Sequence, residues 1–251
     1  MKISVVIPTL NEAQNVLATL LSIEQQDGDF EIVVVDGGST DGTLETARPH
    51  ALVVSSERGR AVQMNAGARQ ASGEALLFLH ADTCLHPNAL SRLRQTLTDS
   101  STVGGTFTLR FDSNRFPLRI YAFFTRFKFR YFHYGDQGIF VRRSTFEQLG
   151  GFKEMPIMED IDFLLRLRRK GRQALINLPV TTSARRFLKR GLIRQQMLNI
   201  CLVALYLLGL RPETLSTWYS SGGAKMTRPR QLERHNVGFA DRSSRQRQPR
   251  R

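Results

Sequence analysis

Four acidic residues stand where a carboxylate can do chemistry: Asp36, Asp82, Glu159 and Asp160. Asp36 closes the apolar run Val33-Val34-Val35 and is followed by Gly37-Gly38-Ser39-Thr40-Asp41-Gly42. A carboxylate there can accept hydrogen bonds from a nucleobase imide or a ribose hydroxyl, and glycines let a ligand approach the backbone closely. Taken alone, the same residue reads first as a cap of the turn or helix that follows. GGSTDG is not the GxGxxG dinucleotide fingerprint. Asp82 ends His80-Ala81-Asp82 after another apolar run. A hard cation, Mg2+ or Mn2+, takes one or two protein carboxylates and completes its shell with phosphate and water, so one aspartate beside an imidazole suffices. The competing role is a cap before the helix opened by Pro87. Glu159-Asp160 opens a third candidate helix, where the dipole favours acids in any case. As a functional group, Asp160 is a general base that takes the proton of an attacking hydroxyl, while Asp162 points elsewhere. Arg58 and Arg60 flank Gly59 and could pair with a diphosphate, though taken alone they read as solvated loop charges.

These residues need elements to position them. Ile3–Ile7, Glu31–Val35, Leu52–Val54 and Ala75–Leu79 are short apolar runs that predict buried strands. Helical periodicity between and after them covers Asn11–Gln25, Thr43–Ala47, Arg60–Ala71 and Pro87–Leu97. Continuous apolar strands alternating with amphipathic helices predict an α/β fold with a mainly parallel central sheet flanked by helices. Ligands of such sheets bind outside the carboxyl ends of the strands, and Pro8-Thr9, Asp36-Gly37-Gly38 and His80-Ala81-Asp82 all fall there. Farther on, strands are expected at Val103–Phe111, Gly138–Val141 and Ala174–Ile176, and helices at Glu159–Lys170, Gly191–Leu210 and Pro212–Tyr219.

The 251-residue chain is 41% hydrophobic, enough for a sizeable core. Its net charge of +14 favours anionic partners without choosing among nucleotides, nucleic acid and anionic membranes. Much of that charge lies after Ala224, in a stretch without apolar periodicity that reads as a basic, disordered tail: a solubility segment or an anionic tether. Cys84 and Cys201 make neither a disulfide framework nor a zinc pattern and fit a reducing cytosol. MKISVVIPTLNE does not have the form of a signal peptide, so a cytoplasmic protein is expected. Met197–Leu210 is shorter than the ~20 residues of a membrane span. It suits a helix packed on the domain, a homodimer helix, or an in-plane helix peripheral on the inner face of the membrane, helped by nearby arginines. The aromatic and basic stretch Phe116–Tyr134 fits an acceptor groove or a membrane-facing patch.

Taken in order, IPTLNE (Ile7–Glu12), VVVDGGSTDGT (Val33–Thr43), RGRAVQMNAGARQASGE (Arg58–Glu74), FLHADT (Phe78–Thr83), YGDQGIFVRR (Tyr134–Arg143) and MEDIDFLLRLRRKG (Met158–Gly171) resemble the family 2 glycosyltransferases of GT-A fold. HADT, GDQGIFVRR, EDIDF and TSARRF (Thr182–Phe187) are similar to a bacterial subgroup labelled arsenosugar-biosynthesis-type or carotenoid-acid-type. The resemblance covers roughly residues 1–220. It implies a nucleotide-sugar donor, UDP-sugar first, an acceptor hydroxyl on a small or lipid-like molecule, and inversion at the anomeric carbon. Carried over by position, Pro8, Thr9 and Glu12 line the base and ribose pocket. Asp36 with Gly38 holds the base, and Arg58 and Asn65 lie near the diphosphate. His80, Ala81 and Asp82 belong to the nucleotide-sugar site, with Asp82 the metal ligand, and Asp160 is the base. Gly135, Asp136, Gln137 and Glu159 belong to the acceptor side, with Arg185 and Arg186 reaching the diphosphate or an anionic acceptor. The family's metal motif is Asp-x-Asp or Asp-Asp-Asp; here His80 takes its first position.

The expected organisation is a catalytic domain over 1–185, with a donor half (1–100) and an acceptor half (101–185), a helical appendage over 186–221, and the tail from 222 to 251. Two other functions fit parts of the pattern. A sugar-1-phosphate nucleotidyltransferase shares the fold class and metal, but IPTLNE lacks its Gly-rich basic signature. A nucleic-acid-binding α/β protein shares the charge, but would carry it as a stripe over the fold, whereas many basic residues lie in the tail, so no nucleic acid is expected.

Overall fold

The structure, a computed structural model, describes residues 1–126 and 135–220. The basic tail and the Phe127–Tyr134 part of the aromatic stretch lie outside the described residues. The strands are β1 (Ile3–Thr9), β2 (Phe30–Asp36), β3 (Leu52–Ser55), β4 (Ala75–Phe78), β5 (Thr83–Cys84), β6 (Thr102–Phe111), β7 (Ile139–Arg142) and β8 (Arg172–Thr182). The helices are α1 (Val16–Glu24), α2 (Thr43–Ala47), α3 (Arg60–Gln70), α4 (Ala89–Thr96), α5 (Phe116–Phe124), α6 (Arg143–Gln148), α7 (Glu159–Arg168), α8 (Arg185–Arg190), α9 (Leu192–Leu207) and α10 (Pro212–Ser220). One sheet runs β3-β2-β1-β4-β7-β6-β8-β5.

The sheet is mixed, with parallel pairing in the majority as expected: β6 and β8 are parallel as well. The donor half (β3, β2, β1, β4) is parallel, but β7 runs antiparallel to both β4 and β6, and β5 antiparallel to β8. An apolar run records burial and not direction, so β7 read the same either way. β8 is also far longer than Ala174–Ile176. It stays paired with β6 through Pro179 by shifting register beside Phe107/Thr108, as a strand proline requires.

The strand period of two sorts side chains into two apolar layers. Ile3, Val5, Ile7, Ile32 and Val34 pack with α1 and α4 on one face. Val6, Val33 and Val35 pack with α3 on the other, together with Phe146 and Phe163 of α6 and α7. Gly67 permits the close approach of α3: a Cβ there would lie 2.4 Å from Val6 Cγ1.

A polar clamp closes the amino end of the sheet. Glu31 accepts from Ser4 Oγ (2.6 Å) and from the Ser72 amide (2.5 Å), and Lys2 Nζ sits at 2.9 Å. Burial alone would raise its pKa, but these donors win and lower it from 4.5 to about 2. A group with a depressed folded pKa stabilises the fold above its unfolded value, and the contribution is lost as pH falls through the folded one. Glu31→Gln is therefore expected to lower Tm at pH 7. The gap to wild type should close between pH 4.5 and about 2, as thermal melts across that window would show. A gap independent of pH would show that the clamp is not ionic.

Candidate active site

The carboxyl ends of β1, β2 and β4 meet at one edge. Thr9 is in register with Asp36, Asp36 with Ser55, and the Leu79 amide donates to Val6 O at 3.0 Å, leaving His80 as the next residue at that edge. Two loops interlock there. Asn11, at φ 55°, donates through its amide to Ser39 Oγ and accepts from the Thr40 amide, both at 2.9 Å. The Glu12 amide donates to Thr43 Oγ1 at 2.9 Å.

Asp36 is consumed by its own loop. It is 2% exposed, accepts from the Gly38 and Ser39 amides at 2.9 and 2.8 Å, and takes Ser39 Oγ at 2.5 Å. The capping role left open by its sequence context is thus present in the structure. Thr9 is buried, and its hydroxyl lies 3.3 Å from Val35 O. Gly38, at φ +92°, has open space where a Cβ would be, so its backbone is approachable. Sequence reading missed the brace beneath these loops. Gln63 of α3, 4% exposed, donates Nε2 to both Thr9 O (2.7 Å) and Val35 O (2.8 Å). The available signal was a polar residue on the buried stripe it shares with Gly67 one turn later.

A charged cluster lies beside this edge. Arg185 pairs with Glu12 and lies 3.2 Å from Asp82 Oδ2. The pairing of β5 with β8 brings them together: Thr83 is in register with Thr182, and the Ser183 amide donates to Asp82 O at 3.1 Å. Burial pushes the Asp82 carboxyl up, while His80 and Arg185 pull it back. His80 Nδ1 lies 3.5 Å from Asp136 Oδ1. Burial holds the imidazole below its ordinary value; Asp136 acts against that and Arg60 with it. Ala81 is buried and its carbonyl accepts from Thr19 Oγ1 at 2.9 Å, which fixes the strand end carrying Asp82.

The helix that supplies the third acid begins at Met158, whose φ of 72° is unusual for a side-chain-bearing residue. Glu159 turns inward. It is 1% exposed and lies 2.7 Å from Arg60 Nε, in a pair not aligned as a hydrogen bond. Burial raises its pKa and Arg60 opposes the rise; Glu159 in turn holds the Arg60 guanidinium more firmly charged. Asp162 is buried and paired with Lys153 (3.0 Å) and Arg166 (2.6 Å). Asp160 is half-buried, with Oδ1 accepting the Ile161 amide at 2.8 Å. Its charge reaches Arg60, His80 and Glu159. Asp136 is half-buried and Gln137 fully buried, both in the short 3-10 turn Gly135–Gln137.

Three of the expected site residues have partners outside the cluster or inside the core. Asn65 faces away from the edge and clamps the Phe152 backbone, Nδ2 to O at 2.8 Å and N to Oδ1 at 2.9 Å. Glu159 is buried and does not present itself to an acceptor. Arg186 binds Tyr219 Oη of α10 at 2.8 Å, so of the arginine pair Arg185 alone enters the cluster. Arg58 stands exposed at the turn before α3, and Pro8 is half-buried at the rim.

No group of three His, Cys, Asp or Glu side chains suited to a metal occurs among the described residues. The donor set still fits a cation of the Mg2+ or Mn2+ type. Asp82, the single acid of the motif, would supply the one carboxylate such an ion needs when phosphate and water complete its shell, exchanging its contact with Arg185 for the ion.

The glycosyl transferase family 2 profile matches residues 4–151. A PGL/p-HBAD biosynthesis glycosyltransferase of Mycobacterium bovis is 36% identical over 177 residues, covering 65% of this chain and 68% of the relative. Among solved structures, the Pyrobaculum calidifontis mannosyltransferase PcManGT in complex with GDP-Man and Mn2+ matches with TM-score 0.63 at 24% identity, over 86% of this chain and 67% of that one. S. aureus TarS 1-349 in complex with UDP-GlcNAc matches with TM-score 0.59 at 21% identity, over 73% of this chain and 58% of that one. At those identities the likeness shows the fold, which is GT-A. A profile match over more than half of the sequence, on that fold and with a closely spaced acidic and basic cluster at its ligand edge, makes this chain a member of the family 2 glycosyl transferases.

Proposed function

We propose that the chain moves a sugar from a nucleotide-diphosphate sugar, UDP-sugar first, to an acceptor hydroxyl with inversion at the anomeric carbon, and that Asp160 is the general base. The disposition of the three acids of Glu159-Asp160-Ile161-Asp162 carries this reading: Glu159 and Asp162 are buried in ion pairs, and Asp160 is half-buried beside the cluster.

In this reading Pro8, Thr9, Glu12 and Gly38 form the nucleoside pocket, with Asp36 fixing its floor through the Gly38 and Ser39 amides. Asp82 would hold the divalent ion, which when bound supplies charge neutralisation at the diphosphate. Arg58 and Arg185 add positive charge for the same group. Asp136 and Gln137 shape the acceptor side. Asp160 accepts the proton of the acceptor hydroxyl as its oxygen forms the bond to C1. The C1–oxygen bond to the diphosphate breaks, and the nucleoside diphosphate leaves with the electron pair.

A panel of UDP- and GDP-sugars with Mn2+ is expected to raise the melting temperature, since a ligand of the native state stabilises it. With a productive acceptor, proton NMR is expected to show a β-linked product from an α-linked donor. An α-linked product would rule out single displacement.

A further inference from the structure

The outer surface of α5 and α9 is built the wrong way round for a helix facing water. In α9 the solvent side carries Ile193 (73% exposed), Met197 (60%), Ile200 (43%) and Leu207 (40%), with Leu208 (78%) just beyond. Those positions follow the helical period, so they form one stripe along the 16-residue helix. Its buried side holds Gln195, Leu202 and Val203, so the helix is apolar outward as well as inward, whereas an ordinary surface helix turns a polar face to water. α5 repeats the pattern with Phe116 (71%), Ile120 (42%), Phe123 (52%) and Phe124 (45%) outward and Leu118 and Tyr121 buried. The two helices are in contact, so the stripes belong to one region of the surface.

The charge on these two helices and the segments flanking them has one sign: no Asp or Glu occurs from Ser113 to Arg126 or from Ala184 to Arg211. Arg115, Arg119, Arg126, Lys189 and Arg194 are exposed in those stretches. Among the described residues no helix is long and apolar enough to cross a membrane. An apolar stripe bordered by cations, on helices that carry no acid of their own, is complementary to a bilayer surface, where side chains enter the acyl boundary and arginines meet anionic headgroups. A second copy of the same face would instead set cation against cation.

We infer that the α5–α9 face seats the protein on the surface of an anionic lipid bilayer, with α9 lying in the plane of the interface. This inference stands on surface composition and does not depend on the assignment of Asp160 or of the donor.

The test is vesicle sedimentation of the full chain, with vesicles of equal parts phosphatidylglycerol and phosphatidylcholine against phosphatidylcholine alone. Wild type is expected to bind the anionic vesicles and to bind the neutral ones much more weakly. The double variant Ile193→Glu/Met197→Glu places two acids on the exposed stripe without touching the core. It is expected to lose about tenfold or more in partitioning. Leu17→Glu/Leu21→Glu, which alters two apolar residues of α1 that are each 41% exposed, should bind like wild type. Three results would overturn the inference. Wild type could fail to bind anionic vesicles. The α9 variant could bind undiminished, which would assign attachment to the basic tail. Analytical ultracentrifugation could show a dimer that the α9 variant dissociates, which would assign the face to a second copy.

Discussion

Asp160→Asn is expected to reduce kcat by about 10³-fold while leaving nucleotide affinity nearly unchanged, because a positioned general base contributes roughly 10²–10⁴ in rate. The substitution keeps size and retains an oxygen for the Ile161 amide, which Asp160 Oδ1 accepts at 2.8 Å, so the start of α7 should survive. It removes the charge that would receive the acceptor's proton. Glu159 is not a substitute, being 1% exposed and paired with Arg60. Steady-state kinetics give kcat, and a thermal shift with UDP and Mn2+ reports binding separately. Near-normal turnover would end the assignment and direct attention to Asp136, which is half-buried beside His80.

Asp82→Ala is expected to abolish the extra stabilisation that Mn2+ gives to UDP binding and to lower kcat by roughly 10²–10³-fold, equivalent to about 3–4 kcal/mol of transition-state stabilisation. The prediction is strong here because His80 occupies the first position of the metal motif, leaving Asp82 as its single acid. Chelation of wild type with EDTA should reproduce the loss, and should add nothing to the variant. Arg185 keeps Glu12 as a partner when Asp82 is removed, so its charge is not stranded. Equal UDP binding by both proteins, with and without Mn2+, would take the metal away from Asp82.

The two experiments separate different parts of the reaction. Loss through Asp160 falls on kcat with binding retained, whereas loss through Asp82 falls on both. A chain defective in both ways after either change would point to a collapsed site, and melting temperatures would expose it.

Much of the edge formed by β1, β2 and β4 was legible in the sequence because it is local. An apolar run with its polar terminus marks a strand end wherever it occurs, and β1, β2 and β4 place Thr9, Asp36 and the segment ending in Asp82 as that pattern requires. The loop chemistry after Asp36 was legible too, though only as two roles, and the hydrogen bonds to Gly38 and Ser39 show the capping one. The direction of β7 was not legible, since burial leaves no trace of strand polarity. Neither were the C-terminal contacts. Tyr219 takes Arg186, and Tyr206 Oη approaches Asp162 at 3.5 Å, across separations of 33 and 44 residues.

The sequence by itself determined the alternation of strands and helices in the first hundred residues and the family to which the motifs belong, because periodicity and strand-end chemistry act within a few residues. The tertiary structure decided which charged groups share a site. Adjacent helical residues project about 100° apart, so Glu159 turns into the core toward Arg60 while Asp160 stays half-buried. Pairing of β5 with β8 carries Arg185 across more than a hundred residues of sequence to Asp82 and Glu12. Asn65 and Arg186 were drawn away by backbone and ring partners that no local pattern announces. Long-range contacts form where packing closes the chain on itself, and only the closed chain shows them.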